Sequence, residues 1–361
     1  MWKYILYYCL FIAVCFMLPC FFLDIDMTNN SKFSNENEIV DSNDMQKIES
    51  KDMIKLLLSK SNQIIELTMD DYIKGVVLGE MPITFEIEAL KAQAIVARTY
   101  TMYKLKNSPN SHENADMCDN INCCQAYKTK EYAFASWDDL EEQEKWQKLE
   151  SAVNETSNLV ITYNGEIIEA FFHSHSGGQT ENIKYVWGDS EIPYLKSVAG
   201  NEEDSYQDSK TFTKAEFKEL IKNKVPNYNV ATSKILIEDY TGSGRVNKLK
   251  IDDIEIKATE LRTLLGIRST NFRIEENEDN ITFYTVGYGH GVGMSQYGAN
   301  QMAKERKNIW RNNKTLLYGC RCRGRTPGRP AKKINRYKFE LNDVGVGLVS
   351  TLKNRYKKWF V

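Results

Sequence analysis

The sequence predicts an α+β fold: helices followed by antiparallel hairpins, in a single extracytoplasmic domain behind an N-terminal transmembrane anchor. Three observations carry this. An uncharged apolar run opens the chain, from Tyr4 to Leu23. Helical periodicity then dominates from Leu67 to the end of "EEQEKWQKLESAVNETSN". After that the apolar period switches to two, with glycine-rich turns between strand pairs.

The apolar run is long enough for a membrane span of roughly 20 residues. Lys3 precedes it and Asp24 and Asp26 follow, an asymmetry that puts the N-terminus inside and the remainder outside. No small-residue cleavage site follows, so residues 1–23 are expected to stay as an anchor. Residues 24–63 are polar, acidic and poor in aromatics, and are expected to form a disordered tether. The folded domain is expected over 64–305.

Within it, Asp70 and Asp71 are placed to cap a helix whose Ile73, Val76 and Val77 share a face and which ends near Gly79, leaving Glu80 just past its end. A second helix runs from Glu86 to Lys106, with Ala89, Ala92, Ala94 and Ala97 giving a small-residue packing surface. An Asn- and Asp-rich loop follows, then a charged amphipathic helix. The stretch "LVITYNGEIIEAFFHSHSGG" predicts a hairpin turning at Tyr163–Glu166, because Asn-Gly supplies the positive φ angles of a type I′ turn. A strand pair around "YTGSGR", a helix near Thr259–Leu265, and two strands leading into "GYGHGVGMSQYG" and a short helix complete the domain.

The 361 residues carry 47 basic and 49 acidic side chains, a net charge of −2, and the basic residues before the C-terminal tail are dispersed, which excludes a nucleic-acid footprint. Twenty tyrosines and six tryptophans suit sugar stacking and an ordinary core equally. Of eight cysteines, Cys9, Cys15 and Cys20 lie in the anchor and Cys320 and Cys322 in the tail, leaving Cys118, Cys123 and Cys124.

Four groups are candidates for chemistry. Glu80 stands among Leu78, Met81, Pro82 and Phe85, surroundings that desolvate a carboxyl, raise its pKa and fit it to act as a general acid. His173 and His175 project to one face of a strand and, with His290, offer three ligands of the kind found in zinc hydrolases. The neighbouring Gly177-Gly178 and "GYGHGVGMSQYG" offer bare backbone suited to binding an extended polar substrate. His112, Cys118, Cys123 and Cys124 are soft donors in one short loop, compatible with a structural zinc or with a disulfide from Cys118 to Cys123 or Cys124. Arg98 and Lys196 are individually unremarkable.

"LGEMP" with "EALKAQAIVARTY", "FFHSHSGGQTEN" with "VWG" and "PYLKSV", and "GYGHGVGMSQYGANQMAKE", in that order over residues 64–305, resemble the stage II sporulation protein D family, which includes amidase enhancers of bacterial cell walls. The resemblance implies a membrane-anchored lytic transglycosylase that cuts peptide-free peptidoglycan strands during forespore engulfment, working beside a cell-wall amidase and other sporulation membrane proteins. It places the catalytic glutamate on Glu80. Substrate contacts fall on Arg98, His173, Ser176, Gln179, Tyr194, Lys196, His290, Ser295 and Gln296. Some relatives hold zinc in the loop after the long helix, and here Cys123 stands where a histidine ligand is expected. Two other classes remain open at this point: a non-catalytic glycan-binding activator of an amidase, and a zinc hydrolase using His173, His175 and His290.

The chain departs from the family at Arg306. Written in AT-rich codons, "RKNIWRNNKTLLYGCRCRG" becomes "GKIYGGIIKHYYTGVDVE" when one base is dropped, which restores a family-like ending. Residues 306–361 are therefore expected to be a frameshifted tail.

Overall fold

The structure, a computed structural model, describes residues 53–324 except 110, 139, 189, 201, 203–205, 225–233 and 307–320, with the backbone alone for 223, 224 and 321–324. The anchor and most of the tether lie outside the described residues. Among those described, no helix is long and apolar enough to cross a membrane. The tether boundary is corrected: Met53–Leu58 (β1) and Gln63–Thr68 (β2) pair as an antiparallel hairpin. Ile54 and Leu56 alternate into the core, a period of two within a segment whose polar composition had suggested disorder.

The first core is built around α2 (Ile87–Asn107), after α1 (Met69–Glu80). Helix α1 is capped by Thr68, whose hydroxyl accepts the Asp71 N–H at 3.1 Å, rather than by Asp70 or Asp71. The alanine face of α2 is wholly buried together with Leu90, Ile95 and Val96, and its middle turns, residues 92–101, are packed on all sides. It contacts α1, α4 (Glu142–Glu155), α7 (Gln296–Lys304) and β4 (Leu159–Tyr163). The single amphipathic helix expected after the loop is broken into α3 (Lys130–Ser136) and α4.

The hairpin of β4 and β5 (Glu166–Ile167) turns through Asn164 at φ 49° and Gly165 at φ 88°, as Asn-Gly predicts. Beyond it, β6 (Phe172–His173) lies parallel to β13 (Met294–Ser295), pairing Phe172 with Met294 and His173 with Ser295. This register sets the two histidine- and glycine-rich motifs side by side. Gly293 permits it, at φ 76° and so close to Phe171 that a Cβ would sit 2.1 Å from its carbonyl oxygen.

A second core gathers β7 (Gln207–Thr213), α5 (Lys214–Lys224), the meander β8 (Ile235–Tyr240), β9 (Val246–Ile251) and β10 (Ile254–Lys257), α6 (Ala258–Leu265), β11 (Phe272–Glu276) and β12 (Asn280–Val286). Strand β12 sits between β11 and β7, antiparallel to both. Phe212, Phe217, Phe272 and Phe283 interlock at its centre. Strands β8 and β9, helix α6 and strands β11 and β12 are the strand pairs and helix predicted, in the predicted order, whereas β7, α5 and β10 were not predicted. Strand β3 (Met117–Cys118) pairs with β1, and β14 (Arg321–Gly324) pairs antiparallel with β4.

Candidate active site

Glu80 is the last residue of α1 rather than the first beyond it. Its setting follows from Gly79: a Cβ there would lie 2.8 Å from the Ala126 backbone, so only glycine lets the 125–128 segment lie against the helix end. That approach brings the Ala126 N–H to Glu80 Oε1 at 2.6 Å. No other protein group hydrogen-bonds the carboxyl among the described residues, which leaves Oε2 open. Burial raises the Glu80 pKa from 4.5 to about 7, against the opposing pull of the Ala126 hydrogen bond, and no charged neighbour contributes. The loop after Pro82 then presents Phe85, edge-on to Tyr297 at 5.0 Å.

The histidines do not form a metal site. His173 hydrogen-bonds the Val292 carbonyl through Nδ1 at 3.1 Å, while His290 Nδ1 accepts the Val292 N–H at 3.1 Å. Their rings stand 5.7 Å apart, with that of His290 against Phe171 and Trp187. Burial pushes His173 down to about 3 and His290 well below its ordinary value, so both are neutral at physiological pH. His175 turns elsewhere, its ring packed by Tyr206 and Tyr297 and its Nδ1 accepting the Gly177 N–H at 3.0 Å. The zinc-hydrolase reading is corrected on this geometry. Among the described residues, the one group whose ligand atoms converge is in the cysteine loop.

There, the ligand atoms of His112, Cys118, Cys123 and Cys124 all lie within 4.8 Å of one another, and the three cysteines are free thiols rather than a disulfide. His112 Nε2 is 3.2 Å from Cys124 Sγ and 3.6 Å from Cys123 Sγ. A tetrahedral zinc with arms of about 2.3 Å separates its sulfur ligands by roughly 3.8 Å, so both adjacent cysteines fit one ion. Neighbouring thiols and burial push Cys118 far above its ordinary pKa, a penalty that a divalent cation reverses. The Lys104 ammonium, 3.7 Å from Cys124 Sγ, adds a positive charge beside the thiol cluster.

The expected substrate contacts divide into two sets. Lys196 is exposed and Tyr194 half-buried, its ring 5.4 Å from that of Tyr163. Gln179 donates to Ser197 Oγ at 2.9 Å, and Gln296 is buried beside Gln93. Arg98 is corrected: it is 2 % exposed and bonds Asp70 Oδ1 at 2.9 Å and the Thr156 carbonyl at 2.8 Å. Asp70 lies ten residues before Glu80 on α1, about 15 Å away along the helix. Ser176 and Ser295 are corrected as well, because both hydroxyls donate to the carboxylate of Glu202.

Sequence reasoning missed Glu202 and Arg245. Glu202 sits in the acidic run "NEED", and Arg245 follows a Gly-Ser-Gly turn. Neither setting signals burial, and both side chains are buried.

The family model for Stage II sporulation protein matches residues 58–163. Stage II sporulation protein D of Bacillus subtilis (strain 168) is 41% identical over 254 residues, covering 69% of this chain and 73% of its own length. The same protein of Bacillus amyloliquefaciens is 35% identical, covering 69% and 72%. The amidase enhancer of Bacillus subtilis (strain 168) is 27% identical over 64% of this chain and 37% of its own length. With a fold of helices then hairpins, and the family's motifs meeting where β6 and β13 pair, the chain belongs to the stage II sporulation protein D family.

Proposed function

We propose that this sporulation protein is a lytic transglycosylase of peptidoglycan, with Glu80 as its single general acid and base. One observation supports this above others: the Glu80 carboxyl is lifted to about 7 by burial, with the Ala126 N–H as its hydrogen-bond partner and no second carboxylate perturbing it among the described residues. A retaining glycosidase needs a partner carboxyl about 5–5.5 Å away and an inverting one about 6.5–9.5 Å away.

The lytic route dispenses with the partner. Protonated Glu80 donates to the glycosidic oxygen as the bond from that oxygen to the muramyl C1 breaks. The resulting carboxylate takes the proton of the muramyl C6 hydroxyl, whose oxygen closes on C1 to give a 1,6-anhydro end. Glu80 is thereby returned to its acid form, and the intramolecular nucleophile replaces water.

The cysteine loop would hold a structural zinc through His112, Cys118, Cys123 and Cys124, a closed set that takes no part in bond cleavage. In the same reading residues 1–23 anchor the chain in the membrane with its domain outside the cytoplasm, and a cell-wall amidase supplies the peptide-free strands. The similarity to an amidase enhancer favours a second reading, a glycan-binding activator without activity of its own. Incubating the detergent-solubilised full chain with peptide-free strands separates the two: anhydro-ended products lost in Glu80→Gln support the enzyme, and binding without cleavage supports the activator.

A further inference from the structure

Most of the backbone of the Ser176–Gln179 loop is engaged within the protein rather than offered to a ligand as its glycines suggested. The N–H groups of Ser176 and Gly178 both donate to Glu202, at 3.1 Å each, and that of Gly177 donates to His175. The carbonyls of Ser176 and Gln179 accept from Arg245 Nη2 at 2.5 and 3.1 Å, and that of Gly178 accepts from Gly200 at 2.8 Å. The loop is therefore gripped from opposite sides by a buried anion and a buried cation.

Each of these ions reaches beyond the loop. Glu202 also takes the hydroxyl of Ser295, and that same Ser295 oxygen caps α7 by accepting the Gly298 N–H at 3.1 Å. Loop and helix start are thus tied through one carboxylate. Tyr297, exposed in the first turn of α7, also donates its backbone N–H to the Ser174 carbonyl at 3.0 Å. Arg245 comes from the β8–β9 turn of the second core. Its neighbours Thr241 and Ser243 donate to Glu181 Oε2 at 2.6 and 2.7 Å, which fixes that turn beneath the loop.

We propose that Glu202 and Arg245 are positioning residues: together they hold the Ser176–Gln179 loop and the first turn of α7 as one rigid wall of the glycan site, without touching the glycan. This rests on the glycan-acting reading above. Neither residue hydrogen-bonds Glu80, so the wall sets how tightly a strand is held and leaves the proton transfers to Glu80. Interactions of this kind contribute equally to ground and transition states.

The test measures both strand affinity and turnover for the full chain carrying Glu202→Gln, Arg245→Met or Arg245→Lys. Glu202→Gln and Arg245→Met should raise Kd and KM about tenfold while kcat stays within about threefold, and Arg245→Lys should recover part of the loss. Where either variant fails to fold, Ser176→Ala removes a single hydroxyl donor to Glu202 without touching the α7 cap and should raise KM by about threefold. Wild-type Kd and KM in folded variants would overturn the proposal, as would kcat falling with KM unchanged. Strands that bind the wild type without being cut would instead sink the transglycosylase reading, and the Kd series would still decide the role of this pair.

Discussion

At the scale of single residues, Glu80 makes stability and activity respond to pH in opposite ways on substitution. Its folded pKa of about 7 exceeds the unfolded value near 4.5, so the folded state holds the extra proton between these limits. Stability attached to this group is complete below pH 4.5 and falls as pH rises through 7. Glu80→Gln removes the penalty: its melting temperature should match that of the wild type at pH 4.5 and exceed it at pH 8, by the equivalent of about 1–3 kcal/mol. The cleavage rate of the wild type should fall above about pH 7, as the acid form is lost. Arg98 behaves oppositely. Arg98→Met removes one donor each from Asp70 and the Thr156 carbonyl, which keep Ser157 Oγ and the Leu159 N–H, and should cost about 1–3 kcal/mol in thermal unfolding, while KM for glycan strands stays at the wild-type value.

At the scale of elements, what was legible follows from how local the signal is. The Asn164-Gly165 turn is fixed by two φ angles, and the desolvated setting of Glu80 by its immediate neighbours, so both could be read directly. The role of Arg98 depends on Asp70, 28 residues away, and that of Ser176 on Glu202, 26 away, through contacts that no periodicity reports. Strand β1 was missed because its short apolar run MIKLLL continues directly from the polar residues before it, and β3 is its parallel partner from the cysteine loop. That pairing ties the loop to the first core. Chelation should therefore lower the melting temperature by several degrees, and Cys124→Ser should lose bound zinc measured by elemental analysis, with cleavage retained below the melting point. A metal-free purified chain of unchanged stability would contradict the zinc assignment.

At the scale of the whole molecule, two cores meet where Arg245 and Glu181 join the second to the motifs of the first. The ending bears on this architecture through β4, whose edge is paired by residues 321–324. From the sequence, a one-base insertion is expected near codon 306. A gene sequence across codons 300–310 that lacks the extra base would establish it, and a chain with the restored ending should melt at a higher temperature than the present one; an uninterrupted frame as printed would end the idea. The central claim concerns chemistry. It is tested most directly by mass spectrometry of peptide-free glycan strands after incubation with the full chain and with its Glu80→Gln variant. The account predicts 1,6-anhydromuramyl ends from the first and none from the second. Reducing ends formed by water, or anhydro ends that persist in Glu80→Gln, would contradict it.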